Sequence, residues 1–468
     1  MATAVVTTVN PATGALLERY PAMDASKVDA VVGAVEQARS GWAATSLSYR
    51  ADVLRRAAGI LRRQARELGA LATAEMGKPI TESIAEVDKC AWVCEYYAET
   101  SPGVLADREV EIDGVASWIS YEPLGTILAV MPWNFPFWQV FRFAASALMA
   151  GNSVLLKHSP NVTGTALAVE RVLLDAGVAP DVFRTLVVAE PDVPATVERL
   201  IDDDRVDAVT LTGSNRAGSH VAAIAGREAK KSLLELGGSD PFVVLDDGDL
   251  DVVVPKAVAG RFLNTGQSCL CAKRFIVHDS LADEFARRLA RAVENLPIGD
   301  PMDDNTRIGP LARADLADNL ERQVDGSVSL GAKVLTGGHR LDRGPAWYAP
   351  TVVVDVTANM PVMAEETFGP VAAVTSFQSD DEAVELANHT IYGLGASVWS
   401  QDPKRALAVG RRIESGALFV NANTASDPRL PFGGVKKSGY GRELGTAGAT
   451  EFTNVRTVVV GSDPHEEG

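Results

Sequence analysis

Cysteine is scarce, four residues in 468, and so few in so long a chain exclude a disulfide framework. Six histidines lie scattered, and with the cysteines they make no metal-ligand set, so no metal is expected. Long apolar runs are also missing; the stretch 126–136 falls short of a membrane span, so no membrane partner is expected. Met1–Asn10 lacks the basic start and apolar core of a signal peptide, and a cytoplasmic location is the expectation. Basic residues are in the minority, 44 against 61 acidic, for a net charge of −17. That field repels nucleic acid and anionic lipid, which excludes a non-specific polyanion binder. No internal repeat or low-complexity tract occurs. What the chain does have is apolar material, 46% of residues, enough for sizeable cores. Its length implies two or three packed units.

Asp24-Ala25-Ser26 is a helix-capping signal ahead of Val28, Val31, Val32 and Val35. Apolar spacing predicts a long helix over about 48–75, ended by Gly77-Lys78-Pro79, and a third helix through Val87 and Val93. Near Val110 the pattern turns to alternation around Asp113-Gly114, which reads as a hairpin. From Thr126 short apolar strands alternate with helices. Strands are predicted at 127–131, 153–157, 182–187, 207–212 and 242–245, with helices at 141–150 and 162–176. A second series has helices at 249–264, 281–296 and 381–388 and strands at 274–278, 351–354, 371–377 and 417–420. The fold class is therefore α/β: two parallel-sheet domains with small appendages.

Several local motifs bear chemistry. Within Phe262–Arg274 a helix ending in Asn-Thr-Gly delivers Cys269 into a turn of Gly, Gln and Ser. Backbone amides there favour a thiolate and can hold an oxyanion; an isolated loop cysteine is otherwise inert. Glu235 closes a strand before Gly237-Gly238 and can serve as a general base, or can be a surface carboxylate near a turn. In Pro132–Pro136 two prolines fix the backbone around Asn134, whose amide can then be a rigid donor, or simply part of a rigid turn. Thr212–Gly218 follows a strand and opens a helix with Ser214 as N-cap, a setting that suits phosphate. The G-x-G-x-x-G fingerprint is absent there and at Gly439-Tyr440-Gly441.

With Glu365–Pro370 and Pro431–Gly439, these motifs stand in the order found in the NAD(P)-dependent aldehyde dehydrogenases, which the sequence resembles over nearly its whole length. It is most similar to the shorter bacterial succinate-semialdehyde dehydrogenases. The resemblance implies a cofactor-binding domain from 1–106 with 124–236, a catalytic domain at 237–451, and a small β oligomerisation element from 107–123 with 452–468. It also implies a homodimer or homotetramer. The implied reaction is oxidation of a small aldehyde to the free acid through a cysteine thiohemiacetal and thioester. Cys269 is the implied nucleophile, Asn134 the oxyanion donor and Glu235 the base for hydrolysis. Family members that pass the acyl group to coenzyme A usually lack that glutamate.

For the cofactor, the resemblance points to Trp133, Lys157, Gly213, Ser214 and Leu236, and to Glu366 and Phe368 around the nicotinamide. NAD-preferring relatives often carry an acid three residues after the lysine; here Lys157-His158-Ser159-Pro160 has none. Lys157 and Ser159 can then accept a 2′-phosphate, which favours NADP, with NAD as the alternative. For the substrate, Trp138 and Arg142 are expected to line the aldehyde tunnel, with Arg142 gripping a carboxylate or serving as an interdomain ion pair. The second carboxylate-binding arginine of the animal enzyme is replaced by Leu263, and Ser426 is the expected substitute donor. Cys271 is a candidate redox-switch partner for Cys269, or a small buried thiol. The substrate favoured by the resemblance is succinic semialdehyde. Another aliphatic or aromatic aldehyde, or a non-catalytic binding protein on the same fold, are the alternatives.

Overall fold

The structure is a computed structural model that describes residues 4–112 and 115–461. Its first sheet has six strands in the order Gly439–Tyr440, Lys231–Glu235, Ala208–Thr212, Thr126–Met131, Ser153–His158 and Phe183–Thr185. All neighbours are parallel except the outermost pair, where Gly439–Tyr440 runs antiparallel to Lys231–Glu235. Alternate residues of a strand face opposite sides, so a sheet covered on both faces needs apolar residues throughout. Ile127 and Ala129 pack with helices Leu47–Arg63, Ile80–Val104 and Trp138–Met149. Leu128, between them, packs the other way against Ala25–Ala43 and Asn215–Arg227. Each such buried aliphatic side chain contributes about 1.5–3 kcal/mol relative to exposure.

The second sheet has seven strands: Lys333–Thr336, Thr351–Val354, Val371–Phe377, Ala272–His278, Asp240–Val244, Gly395–Trp399 and Ala417–Val420. Only the first pair is antiparallel. A three-stranded antiparallel sheet joins Thr453–Val460, Ala116–Pro123 and Arg108–Glu109. An N-terminal hairpin, Val5–Val9 with Leu16–Pro21, completes the β structure.

The α/β class and the parallel sheets agree with the sequence reading, and several details differ. The helix expected over 48–75 is two helices, Leu47–Arg63 and Ala65–Met76, broken at Gln64. Gly77 ends the second with φ +81°, as its sequence suggested. The helix expected to run to Asn264 stops at Phe262; a 3-10 turn, Leu263–Gly266, follows, with Asn264 and Thr265 left-handed (φ 52° and 53°). The strand expected at 182–187 covers only Phe183–Thr185. The expected Asp113-Gly114 turn lies outside the described residues. Gly439–Tyr440, from the stretch assigned by sequence to the second domain, is an edge strand of the first sheet.

Candidate active site

The left-handed turn at Asn264-Thr265 is held by its neighbours. The Asn264 backbone N–H donates to the Glu82 carboxylate at 2.6 Å, and the Gly309 N–H donates to Thr265 Oγ1 at 3.1 Å. Asn264 Nδ2 donates to the carbonyls of Asn134 (2.8 Å) and Gln267 (3.1 Å). These bonds repay an uncommon backbone conformation and tie the loop carrying Cys269 to the Pro132–Pro136 turn. Asn134 Nδ2 donates to the same Gln267 carbonyl at 3.2 Å, which leaves its second amide hydrogen for another acceptor. The close approach continues at Gly238: a Cβ there would lie 2.7 Å from the Cys269 carbonyl oxygen, so only glycine fits.

Cys269 lines two cavities. The first, of 370 Å³, has walls from Phe135, Trp138, Arg142, Leu263, Cys271 and Ser426. The second, of 200 Å³, is bounded by Trp133, Asn134, Gly213, Ser214, Leu236, Glu366 and Phe368. Burial pushes the Cys269 thiol up to about 12, opposed by the positive charges of Arg142 and Lys273. Glu235 is 2% exposed, its Oε1 has no hydrogen-bond partner, and its charge acts on Cys269. Burial pushes its carboxyl up to about 8, Arg142 opposing and Glu443 adding to the shift. A buried acid poised near neutrality beside a thiol suits proton transfer.

In the second cavity Ser214 caps helix Asn215–Arg227, its Oγ accepting from the Ala217 N–H at 3.3 Å, as its position in the sequence suggested. Glu366 accepts from the Gly238 N–H at 3.1 Å and pairs with the buried Lys273, which also donates to the Gly238 carbonyl. Trp133 meets Phe368 edge-on, ring centroids 5.7 Å apart. Lys157, Ser159 and Pro160 lie apart from both sets of walls, where strand Ser153–His158 gives way to a 3-10 turn. The Lys157 ammonium is brought down to about 8 by burial, against the opposing charge of Glu190. Ser159 Oγ donates to Asn161 Oδ1 at 2.7 Å.

Arg142 lines the first cavity, and its guanidinium is held in an ion pair. Its Nε pairs with Glu443, both side chains 2% exposed, Nη2 donates to Thr212 Oγ1 at 3.3 Å, and the guanidinium lies 4.5 Å over the Phe432 ring. Its charge is therefore already matched. Arg142→Met is expected to destabilise the protein by about 3–5 kcal/mol, since it strands a buried Glu443 carboxylate. Urea unfolding followed by fluorescence measures this; an unchanged midpoint would contradict the buried pair. Cys271 is a wall of the same cavity, its thiol pushed up by burial.

The sequence reading missed the helix Ile80–Val104 as a wall of the site. Lys78 pairs with Glu86 in the interior, and Glu86 accepts from the Phe137 and Trp138 N–H groups, both at 2.8 Å, anchoring the start of helix Trp138–Met149. Within that helix the spacing Glu82, Glu86, Lys89 sets three charges on one face, which was the signal available.

The aldehyde dehydrogenase family profile matches residues 2–458. A probable NADP+ succinate-semialdehyde dehydrogenase of Synechocystis sp. is 47% identical over 453 residues, 97% of this chain and 99% of that protein. The NAD(P)+ succinate semialdehyde dehydrogenase Sad of Escherichia coli is 45% identical over 450 residues, 96% of each chain. The crystal structure of the succinic semialdehyde dehydrogenase of Streptococcus pyogenes with NADP+ superposes with a TM-score of 0.93 at 35% identity, covering 98% of this chain and all of that one. The chain belongs to the aldehyde dehydrogenase family.

Proposed function

We propose that this NAD(P)-dependent aldehyde dehydrogenase oxidises succinic semialdehyde to succinate with NADP. The observation that carries the reading is Cys269 on the walls of two cavities, with Asn134 on the second and the charge of the buried Glu235 acting on the thiol. The Cys269 sulfur attacks the aldehyde carbon and forms a thiohemiacetal. Its oxyanion is received by the free amide hydrogen of Asn134 and the Cys269 backbone N–H. When bound, the nicotinamide supplies the hydride acceptor that turns this adduct into a thioester. Glu235 then takes a proton from water as it adds to the thioester carbonyl; the C–S bond breaks, and the acid leaves with the thiolate restored.

The second cavity fits the cofactor. The capped helix start at Ser214 has free backbone amides that would hold a phosphate, Leu236 offers an apolar wall, and Glu366 and Phe368, on the same cavity as Cys269, would hold the nicotinamide. Lys157 and Ser159, with Pro160 where an acid would repel a 2′-phosphate, support NADP over NAD. The names of the relatives from Synechocystis and Streptococcus pyogenes support the same cofactor and substrate. The division into a cofactor domain (1–106 and 124–236), a catalytic domain (237–451) and a β element is retained in this proposal. So is a cytoplasmic homodimer or homotetramer. Val455, Val459 and Val460 are exposed on the three-stranded sheet, an apolar strand that a second subunit would cover.

Initial rates with NADP under reducing conditions, comparing succinic semialdehyde with butanal, test the substrate. The charged aldehyde is expected to win by tenfold or more in kcat/KM, about 1.4 kcal/mol of transition-state discrimination. Equal or better rates with butanal would remove the succinic semialdehyde assignment.

A further inference from the structure

We propose that Lys89, together with the Ser426 hydroxyl, receives the far carboxylate of the substrate; this rests on the reading of the substrate as an ω-carboxy aldehyde. Lys89 projects from helix Ile80–Val104 into the cavity that Cys269 also lines. Its Nζ donates to Ser426 Oγ at 2.8 Å and stands 4.4 Å from the Trp138 ring centroid. The two residues also line an outer depression bounded by Trp92, Phe419 and Leu430, of which Cys269 is not a wall. They therefore mark the end of the cavity away from the sulfur, where the second functional group of a short dicarboxylic semialdehyde lies when its aldehyde is at Cys269.

The charge balance points the same way. Among the described residues no carboxylate lies within ion-pair distance of Lys89 Nζ, while the nearby acids are engaged elsewhere: Glu86 with Lys78, and Asp427 with Arg429 at 2.7 Å. Burial and the neighbouring Arg142 bring the Lys89 ammonium down to about 8. A half-buried cation without a counter-ion gains most from an anionic ligand. Arg142, by contrast, is paired with Glu443, and its field acts on Cys269 and Glu235. The cation on the reacting groups and the cation for the remote carboxylate are thus different residues. A neutral aldehyde of the same length leaves Lys89 without its counter-ion, and the cavity discriminates by charge.

The test is the ratio of kcat/KM for succinic semialdehyde over butanal in wild type, Lys89→Met, Lys89→Arg and Ser426→Ala, with inhibition by succinate as a second readout. Lys89→Met is expected to lower the ratio at least tenfold, mainly through the KM for succinic semialdehyde, and to raise the Ki of succinate by a similar factor. Lys89→Arg, which keeps the charge, is expected to recover most of the ratio, and Ser426→Ala to lower it at least threefold. A wild-type ratio retained in Lys89→Met overturns the assignment of Lys89; if that variant does not fold, a ratio unchanged in Ser426→Ala does so. If wild type itself prefers butanal, the substrate reading has failed rather than the placing of Lys89.

Discussion

Replacing Cys269 with alanine is expected to lower kcat by at least ~10⁴-fold with NADP and any aldehyde, because the covalent route disappears with the sulfur. Binding of NADP, followed by quenching of tryptophan fluorescence, separates lost chemistry from lost fold. Residual turnover within tenfold of wild type would show that Cys269 is not the nucleophile. The resting thiol makes the expectation sharper. Burial pushes that thiol well above its ordinary value, so it rests protonated. The attacking sulfur must shed its proton within the site as the substrate or cofactor binds. Arg142 and Lys273 favour the resulting thiolate.

Glu235→Gln is expected to separate the two halves of the reaction. Steady-state turnover should fall by ~10²–10⁴-fold, while a burst of about one reduced cofactor per site persists and the thioester accumulates. Rapid-mixing absorbance and intact-protein mass spectrometry read both. An unreduced steady-state rate would show that another group activates the water. The pH dependence follows from the same carboxyl. A base must be ionised, so wild-type kcat should rise with pH through about 8, and the variant should lose that limb. Stability moves oppositely. The folded-state pKa lies far above the ordinary 4.5, so between those values the native chain binds more protons than the unfolded chain. The stability attached to this group is complete at low pH and is lost as pH climbs towards 8. The Tm of Glu235→Gln should therefore gain on wild type between pH 5 and pH 9.

Residues whose chemistry is local could be read from the sequence. Ser214 caps its helix because a serine between a strand and a helix has a free amide to satisfy. The strand 127–131 was plain because a strand buried on both faces is apolar without a break. The role of Arg142 was not settled, because its partner Glu443 is hundreds of residues away and no local pattern announces an ion pair. The same holds for Lys89: its placement over Trp138 and beside Ser426 exists only when three distant segments meet. Cys269 was found from its turn, yet the left-handed Asn264 and Thr265 that shape the turn were not. Neither is glycine, and what holds them open comes from Glu82, Asn134 and Gly309.

The pairing of Gly439–Tyr440 with the strand that ends in Glu235 has a consequence for biosynthesis. A ribosome releases the strand Lys231–Glu235 some two hundred residues before the neighbour that completes its sheet, and Glu443, the counter-ion of Arg142, emerges with that neighbour. Until then the growing polypeptide exposes an open edge and an unmatched guanidinium, the conditions under which chaperones engage nascent chains. Thr453–Val460 closes onto Ala116–Pro123 later still. Acquisition of activity during translation is thus tied to the emergence of Gly439–Val460, and a polypeptide halted before it carries the nucleophile without the framework that controls it.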